Sequence, residues 1–204
     1  KMNISDVKKY AVEHNLPLAQ PEKLRDEAFI ETLKSWNADV FVVVAFRMLP
    51  QVVWSIPSKG TFNLHGSLLP QYRGAAPINW AVMNGDQETG VTTFLIDEKI
   101  DTGNILISDK VEIGENDNVG KIHDELMHIG AKLVVKTLDG LENDSLKPHP
   151  QDETIELKHA PKIFKEDCKI DWNDSINAIH NKIRGLSPYP CAWTTFGIDE
   201  NYKS

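Results

Sequence analysis

The chain has 204 residues, 41% hydrophobic and 25% charged, with a net charge of −8. That length buries one hydrophobic core, and the acidic balance lends no support to a nucleic-acid partner, which needs a basic face. No apolar run approaches the ~18 residues of a membrane span, and no apolar stretch follows the basic start at Lys1, so neither a membrane anchor nor a secretory signal is expected. Cys168 and Cys191 lack metal-type spacing and read as reduced thiols of a cytoplasmic protein.

Residues 6–14 read as a short amphipathic helix with Val7, Tyr10 and Ala11 on one side. Leu16-Pro17-Leu18 is strand-like. Residues 22–37 read as a second helix that turns Leu24, Ala28, Leu33 and Trp36 inward. Residues 40–46 are apolar at every position and rich in valine, the pattern of a parallel strand covered on both faces. Strands alternating with helices at this spacing predict an α/β protein with a Rossmann-like open, mostly parallel sheet.

A short strand over 60–65 ends in a loop at Leu68-Leu69-Pro70. The helix predicted over 76–84 carries Pro77 in its first turn, where a missing N–H costs little, and Gly85 at its end. Two further strands, 91–96 and 105–113, flank the loop 97–103. A long helix over 119–141 keeps Ile122, Leu126, Ile129, Leu133 and Val134 at helical spacing. Residues 142–169 are polar and irregular. Asp174 or Ser175 caps a last helix over 176–183, and Gly185-Leu186-Ser187-Pro188-Tyr189-Pro190 reads as a linker. Phe196-Gly197-Ile198-Asp199-Glu200 resembles a turn that leads into further structure.

Asn63 and His65 are two apart, so a strand places both side chains on one face. The end of a strand in an open α/β sheet is a place where ligands bind. An amide donor beside an imidazole suits a transition state with negative charge on a carbonyl oxygen. Asp101, in a glycine-punctuated loop, is a candidate for orienting the histidine. On pattern alone a buried, hydrogen-bonded Asn–His pair is the favoured reading. His123 and His128 are five apart on the long helix, which splits them between faces and disfavours a metal site. Arg73 contacts substrate or braces its loop. Lys158, Lys162 and Lys165 read as a solvated basic loop.

The segment Asn63-Leu64-His65-Gly66-Ser67-Leu68-Leu69-Pro70-Gln71-Tyr72-Arg73-Gly74-Ala75-Ala76-Pro77-Ile78 closely resembles the signature of the methionyl-tRNA formyltransferase family, within the folate-dependent formyltransferases. Asn84-Gly85-Asp86, Ile100-Asp101-Thr102-Gly103, Ile170-Asp171-Trp172 and Ser187-Pro188-Tyr189-Pro190 resemble it in the same order. The resemblance implies that Asn63, His65 and Asp101 form the catalytic trio. It also implies that Ser67, Leu68, Leu69 and Pro70 contact the folate of 10-formyltetrahydrofolate, without a metal.

Its implied reaction moves the formyl group onto the free amine of charged initiator tRNA. A cationic His65 and Asn63 would stabilise the oxyanion, and Asp101 would help take the proton. Related enzymes with the same trio act on a sugar-nucleotide amine or hydrolyse formyltetrahydrofolate, and a non-catalytic folate-binding module is a further alternative. On this resemblance residues 1–141 belong to the catalytic domain, lacking its first βα unit. Residues 142–193 complete that domain and its linker, 194–204 begin a C-terminal β-barrel domain, and the protein is expected to be a monomer.

Overall fold

The computed structural model describes residues 4–45, 48–198 and 201–203. Ser5 caps α1 (Asp6–Glu13), and Asp26 caps α2 (Glu27–Ser35); each side-chain oxygen accepts an N–H from the first turn, which relieves a donor the helix cannot satisfy. β1 (Phe41–Val43) and the single-turn α3 (Gln51–Trp54) lead to β2 (Thr61–His65). Then come β3 (Arg73–Gly74), α4 (Pro77–Met83) with its N-terminal proline, β4 (Glu88–Leu95) and β5 (Ile105–Glu112). The long α5 (Val119–Glu142) is capped by Asn118. β6 (His159–Ala160), a 3₁₀ turn (Glu166–Cys168), α6 (Ile176–Gly185) and the hairpin β7 (Phe196–Ile198)–β8 (Asn201–Lys203) complete the chain, with Ser175 rather than Asp174 capping α6.

The main sheet has the order β1-β2-β4-β5. Only β1 and β2 are parallel; β2–β4 and β4–β5 are antiparallel. The mostly parallel sheet expected from alternating elements is therefore corrected to a mixed one. The reason is in the connections: β5 follows β4 through residues 96–104 alone, too short for the crossover that a parallel pair requires.

The apolar run at 40–46 yields a three-residue strand at the sheet margin instead of one covered on both faces, and Val42 stays 40% exposed. Phe46, the last residue of that run, lies outside the described residues, as do Asp199 and Glu200. Leu16-Pro17-Leu18 joins no ladder, and both leucines are exposed. On α1 the expected inward face is open to solvent, with Val7 82% exposed. α2 buries Ile30 and Leu33, whereas Ala28 and Trp36 point outward.

One face of the sheet packs on α4 and α5 through Ala81, Val82, Val91, Val111, Ile122, Leu126 and Leu133. α5 comes close because residue 130 is glycine: a Cβ there would meet the Leu64 side chain at 2.8 Å. Leu69, Phe94 and Ile105 form a smaller apolar cluster of their own.

Both cysteines are free. Burial pushes the Cys168 thiol above its ordinary range, whereas Cys191 is exposed. Because the thiolate is the reactive form, the native protein at about pH 8 should titrate one thiol with a disulfide reagent and the second only after denaturation. Cys191→Ser should remove the fast reaction; retention of a fast thiol in that variant contradicts the burial of Cys168.

Candidate active site

The pairing of β2 with β4 places the site. Asn63 lies opposite Phe94, Leu64 opposite Thr93 and His65 opposite Thr92. Side chains alternate along a strand, so Leu64 and Thr93 turn toward α5, where Thr93 shares a buried hydroxyl contact with Thr137 at 2.9 Å. Asn63, His65, Thr92 and Phe94 share the other face. The sequence expectation that Asn63 and His65 stand side by side is met; they are 5% and 6% exposed.

His65 is fixed from two sides. Its Nε2–H donates to the Tyr72 carbonyl at 2.8 Å, which leaves Nδ1 facing the Asp101 carboxylate, with Oδ2 at 3.9 Å. That separation is too long for a hydrogen bond, and both side chains are about nine-tenths buried. The ring edge also meets Phe94, 6.3 Å between centroids. The loop between β4 and β5 thus brings Asp101 to the strand end from 36 residues away in sequence (101 − 65).

Asp101 itself adopts a left-handed backbone, φ 55, a conformation that short polar side chains tolerate better than most. Its Oδ2 accepts the Gly74 N–H at 2.9 Å. Residue 74 must be glycine, because its φ is +130 and a Cβ would lie 2.3 Å from the Ala160 carbonyl oxygen.

The segment Ser67-Leu68-Leu69-Pro70 follows directly. Thr92 anchors it: its hydroxyl donates to the Ser67 carbonyl at 2.7 Å and accepts the Leu69 N–H at 3.2 Å. The Ser67 hydroxyl donates to the Gln71 carbonyl at 2.6 Å, and Leu69 is buried beside Phe94 and Ile105. Ser67 and Leu69 therefore shape the loop from inside, while Leu68 and Pro70 are half-buried. Leu68 also borders a cavity of about 320 Å³ with Gln71, Tyr72 and residues 86–89. Asn63, His65 and Asp101 do not line it.

Arg73 braces: its guanidinium donates twice to Gln151 Oε1, at 3.0 and 2.7 Å, and once to Glu153. Tyr72 is held by Asp86, and burial first, then that hydrogen bond, keeps its phenol above the ordinary range. Sequence reasoning missed Thr92, Tyr72 and Gln151; only the register of β4, the return of the Tyr72 carbonyl and the path of residues 149–151 reveal them. His123 and His128 are exposed. Among the described residues no group of three or more His, Cys, Asp or Glu could hold a metal ion, and no helix is long and apolar enough to cross a membrane.

Among the described residues, the fully buried side-chain nitrogen and oxygen atoms without a hydrogen-bond partner are Asn63 Oδ1 and Thr89 Oγ1. Both atoms are buried, and an orphaned buried polar atom costs roughly 1–3 kcal/mol. A strand-end amide and an imidazole facing a carboxylate form an arrangement that suits chemistry at a carbonyl group. A family model described as formyl transferase matches residues 2–138, and one described as formyl transferase, C-terminal domain matches residues 162–203. The chain belongs to the formyl transferase family.

It is 58% identical over 197 residues to the methionyl-tRNA formyltransferase of Bacteroides thetaiotaomicron, covering 95% of this chain and 61% of that protein. It is 61% identical to the one from Azobacteroides pseudotrichonymphae, covering 93% and 60%. The chain therefore spans about three fifths of the curated relatives it matches. Among solved structures, a sugar N-formyltransferase from Shewanella has a TM-score of 0.72 at 18% identity, covering 95% of this chain and 77% of that one. HypX from Aquifex aeolicus in complex with tetrahydrofolic acid has a TM-score of 0.68 at 24% identity, covering 81% and 28%. These two likenesses are of fold.

Thr92→Val keeps the size of residue 92 and removes its hydroxyl. It strands the Leu69 N–H and the Ser67 carbonyl in a buried place, so a loss of about 1–3 kcal/mol is expected. The shift of the urea midpoint at unchanged slope measures it; an unchanged midpoint excludes Thr92 as the anchor of this loop.

Proposed function

We propose that this chain transfers the formyl group of 10-formyltetrahydrofolate to the free α-amino group of methionyl-tRNA, the initiator, for translation initiation. The observation that carries the proposal is the convergence of Asn63, His65 and Asp101 at one strand end, in a chain more than half identical to proteins named for that activity. The folate supplies the formyl group as co-substrate, with no metal. Leu68 and Pro70 present the outer surface of the folate-contacting segment, while Ser67 and Leu69 hold its shape.

The Nδ2 of Asn63 donates to the formyl oxygen as negative charge develops there. Donors arranged before charge develops act without reorganisation, which is why they contribute most in a water-excluded site. His65, anchored through Nε2, offers Nδ1 toward the same centre. Asp101, opposite Nδ1, receives the proton that the amine loses; the bond from the formyl carbon to the folate nitrogen then breaks, and that nitrogen takes up a proton as tetrahydrofolate leaves.

On this reading residues 1–141 and 142–193 make the catalytic domain and its linker, and 194–204 begin a C-terminal β-barrel. The enzyme acts as a monomer in the cytoplasm. The alternatives are formylation of a sugar-nucleotide amine and hydrolysis of formyltetrahydrofolate.

The test presents the full-length protein with 10-formyltetrahydrofolate and either charged initiator tRNA or an amino-sugar nucleotide. Formylated methionyl-tRNA is expected; formylated sugar, or formate without acceptor, selects an alternative. Asn63→Ala and His65→Ala should each lower turnover by about 10²–10³ after correction for the folded fraction, since His65→Ala also strands the Tyr72 carbonyl. Near wild-type transfer by either removes the trio from the mechanism.

A further inference from the structure

Gln151 lies in the segment expected to be polar and irregular, yet it is only 8% exposed. A single antiparallel bridge puts it there: the Ile105 N–H donates to the His149 carbonyl at 2.8 Å, and the His149 N–H returns to Ile105 at 3.0 Å. From that point the Gln151 side chain enters the back of the site. Its Nε2 donates to the Asp101 carbonyl at 2.8 Å and to the Gly103 carbonyl at 2.9 Å. Its Oε1 accepts the two guanidinium N–H groups of Arg73. The partners allow one amide orientation only, since two carbonyls need donors and a guanidinium needs an acceptor.

These contacts close a ring. Asp101 Oδ2 accepts the N–H of Gly74, Gly74 follows Arg73, Arg73 donates to Gln151, and Gln151 donates to the Asp101 carbonyl. Both the backbone of Asp101 and the strand that supplies its carboxylate donor therefore refer to one amide. We infer that Gln151 is the positioning residue that holds Asp101 opposite His65 Nδ1; the inference rests on the catalytic reading of the trio. The Gln151 amide is fully engaged by Asp101, Gly103 and Arg73, so it acts through Asp101 and not on a reactant. Its burial would be unfavourable unless all four hydrogen bonds were made together.

Two substitutions separate its functions. Gln151→Met keeps length and loses every hydrogen bond. Gln151→Glu keeps the acceptor for Arg73 and loses both donors to the 101–103 loop. In the full-length protein each should lower kcat by as much as about 10²-fold, the effect of a misplacement on the order of 1 Å, with KM for the formyl donor unchanged. In an Asp101→Asn background Gln151→Met should add no further loss, as expected when two residues act as one unit. A second readout is independent of turnover: the His65 ring-nitrogen resonances, assigned with His65→Ala, should move in Gln151→Met as they do in Asp101→Asn.

Activity within twofold of wild type, full additivity with Asp101→Asn, or an unmoved His65 resonance overturns the inference. A wild-type protein that formylates no acceptor overturns the functional reading instead, and the His65 resonance then decides the role of Gln151 by itself. Melting curves of each variant correct the rates for the folded fraction.

Discussion

The register of β2 on β4 is the constraint on which the rest depends. With His65 opposite Thr92, Leu64 enters the space that Gly130 leaves on α5, and Asn63 and His65 turn to the other face. A slip by one residue would exchange the faces, burying a histidine and an asparagine against a helix and exposing Leu64. The apolar interlock of Leu64 with α5 therefore does more than stabilise the core. It decides which way the polar side chains point, and it places the hydroxyl of Thr92 beside His65, where it can hold the loop that follows.

A wall of this kind concentrates polar groups where water is scarce, and each must find a partner. Thr92 answers Ser67 and Leu69, Tyr72 answers His65, Gly74 answers Asp101, and Gln151 answers the loop beneath it. Against this pattern of satisfaction, the bare Oδ1 of Asn63 stands out. It lies beside His65 on the sheet face where the three candidate side chains meet. The second such atom, Thr89 Oγ1, belongs to a residue that lines the cavity beside Leu68.

Elements with strong local signals were legible in the sequence. The spacing of Ile122, Leu126 and Leu133 defined α5, and Pro77 with Gly85 bounded α4. The two-residue spacing of Asn63 and His65 was enough to put them on one face. Strand direction was not legible, because β-propensity says nothing about partners, and the antiparallel return through residues 96–104 is a tertiary fact. Leu16-Pro17-Leu18 has strand composition and no ladder to join. Position made Asp101 a candidate and resemblance gave it a role, but its approach to His65 was not legible, since it depends on the β4–β5 loop. Gln151 carried no signal at all: a glutamine in a polar stretch becomes central only when His149 pairs with Ile105 and draws residues 149–151 under the loop.

The same dependence on distant contacts bears on the basic segment that follows. Of its three lysines, Lys158 is not a free surface charge. Its Nζ lies 2.6 Å from Asp86 Oδ1 and 5.7 Å from the Tyr72 ring centroid, and the hydrogen bond to Asp86 raises its pKa. The Lys158 carbonyl also accepts the Tyr72 N–H at 2.7 Å. Lys158 thus supports the residue whose carbonyl anchors His65, which couples this segment to the site. Lys162 and Lys165 differ, lying exposed over the rings of Phe164 and Trp193. Charges attached to flat, partly exposed aromatic surface remain available to an outside partner, whereas a charge already paired with Asp86 would have to break a hydrogen bond first. Lys158 is thus tied to Tyr72 through both side chain and backbone, whereas Lys162 and Lys165 stand at the surface.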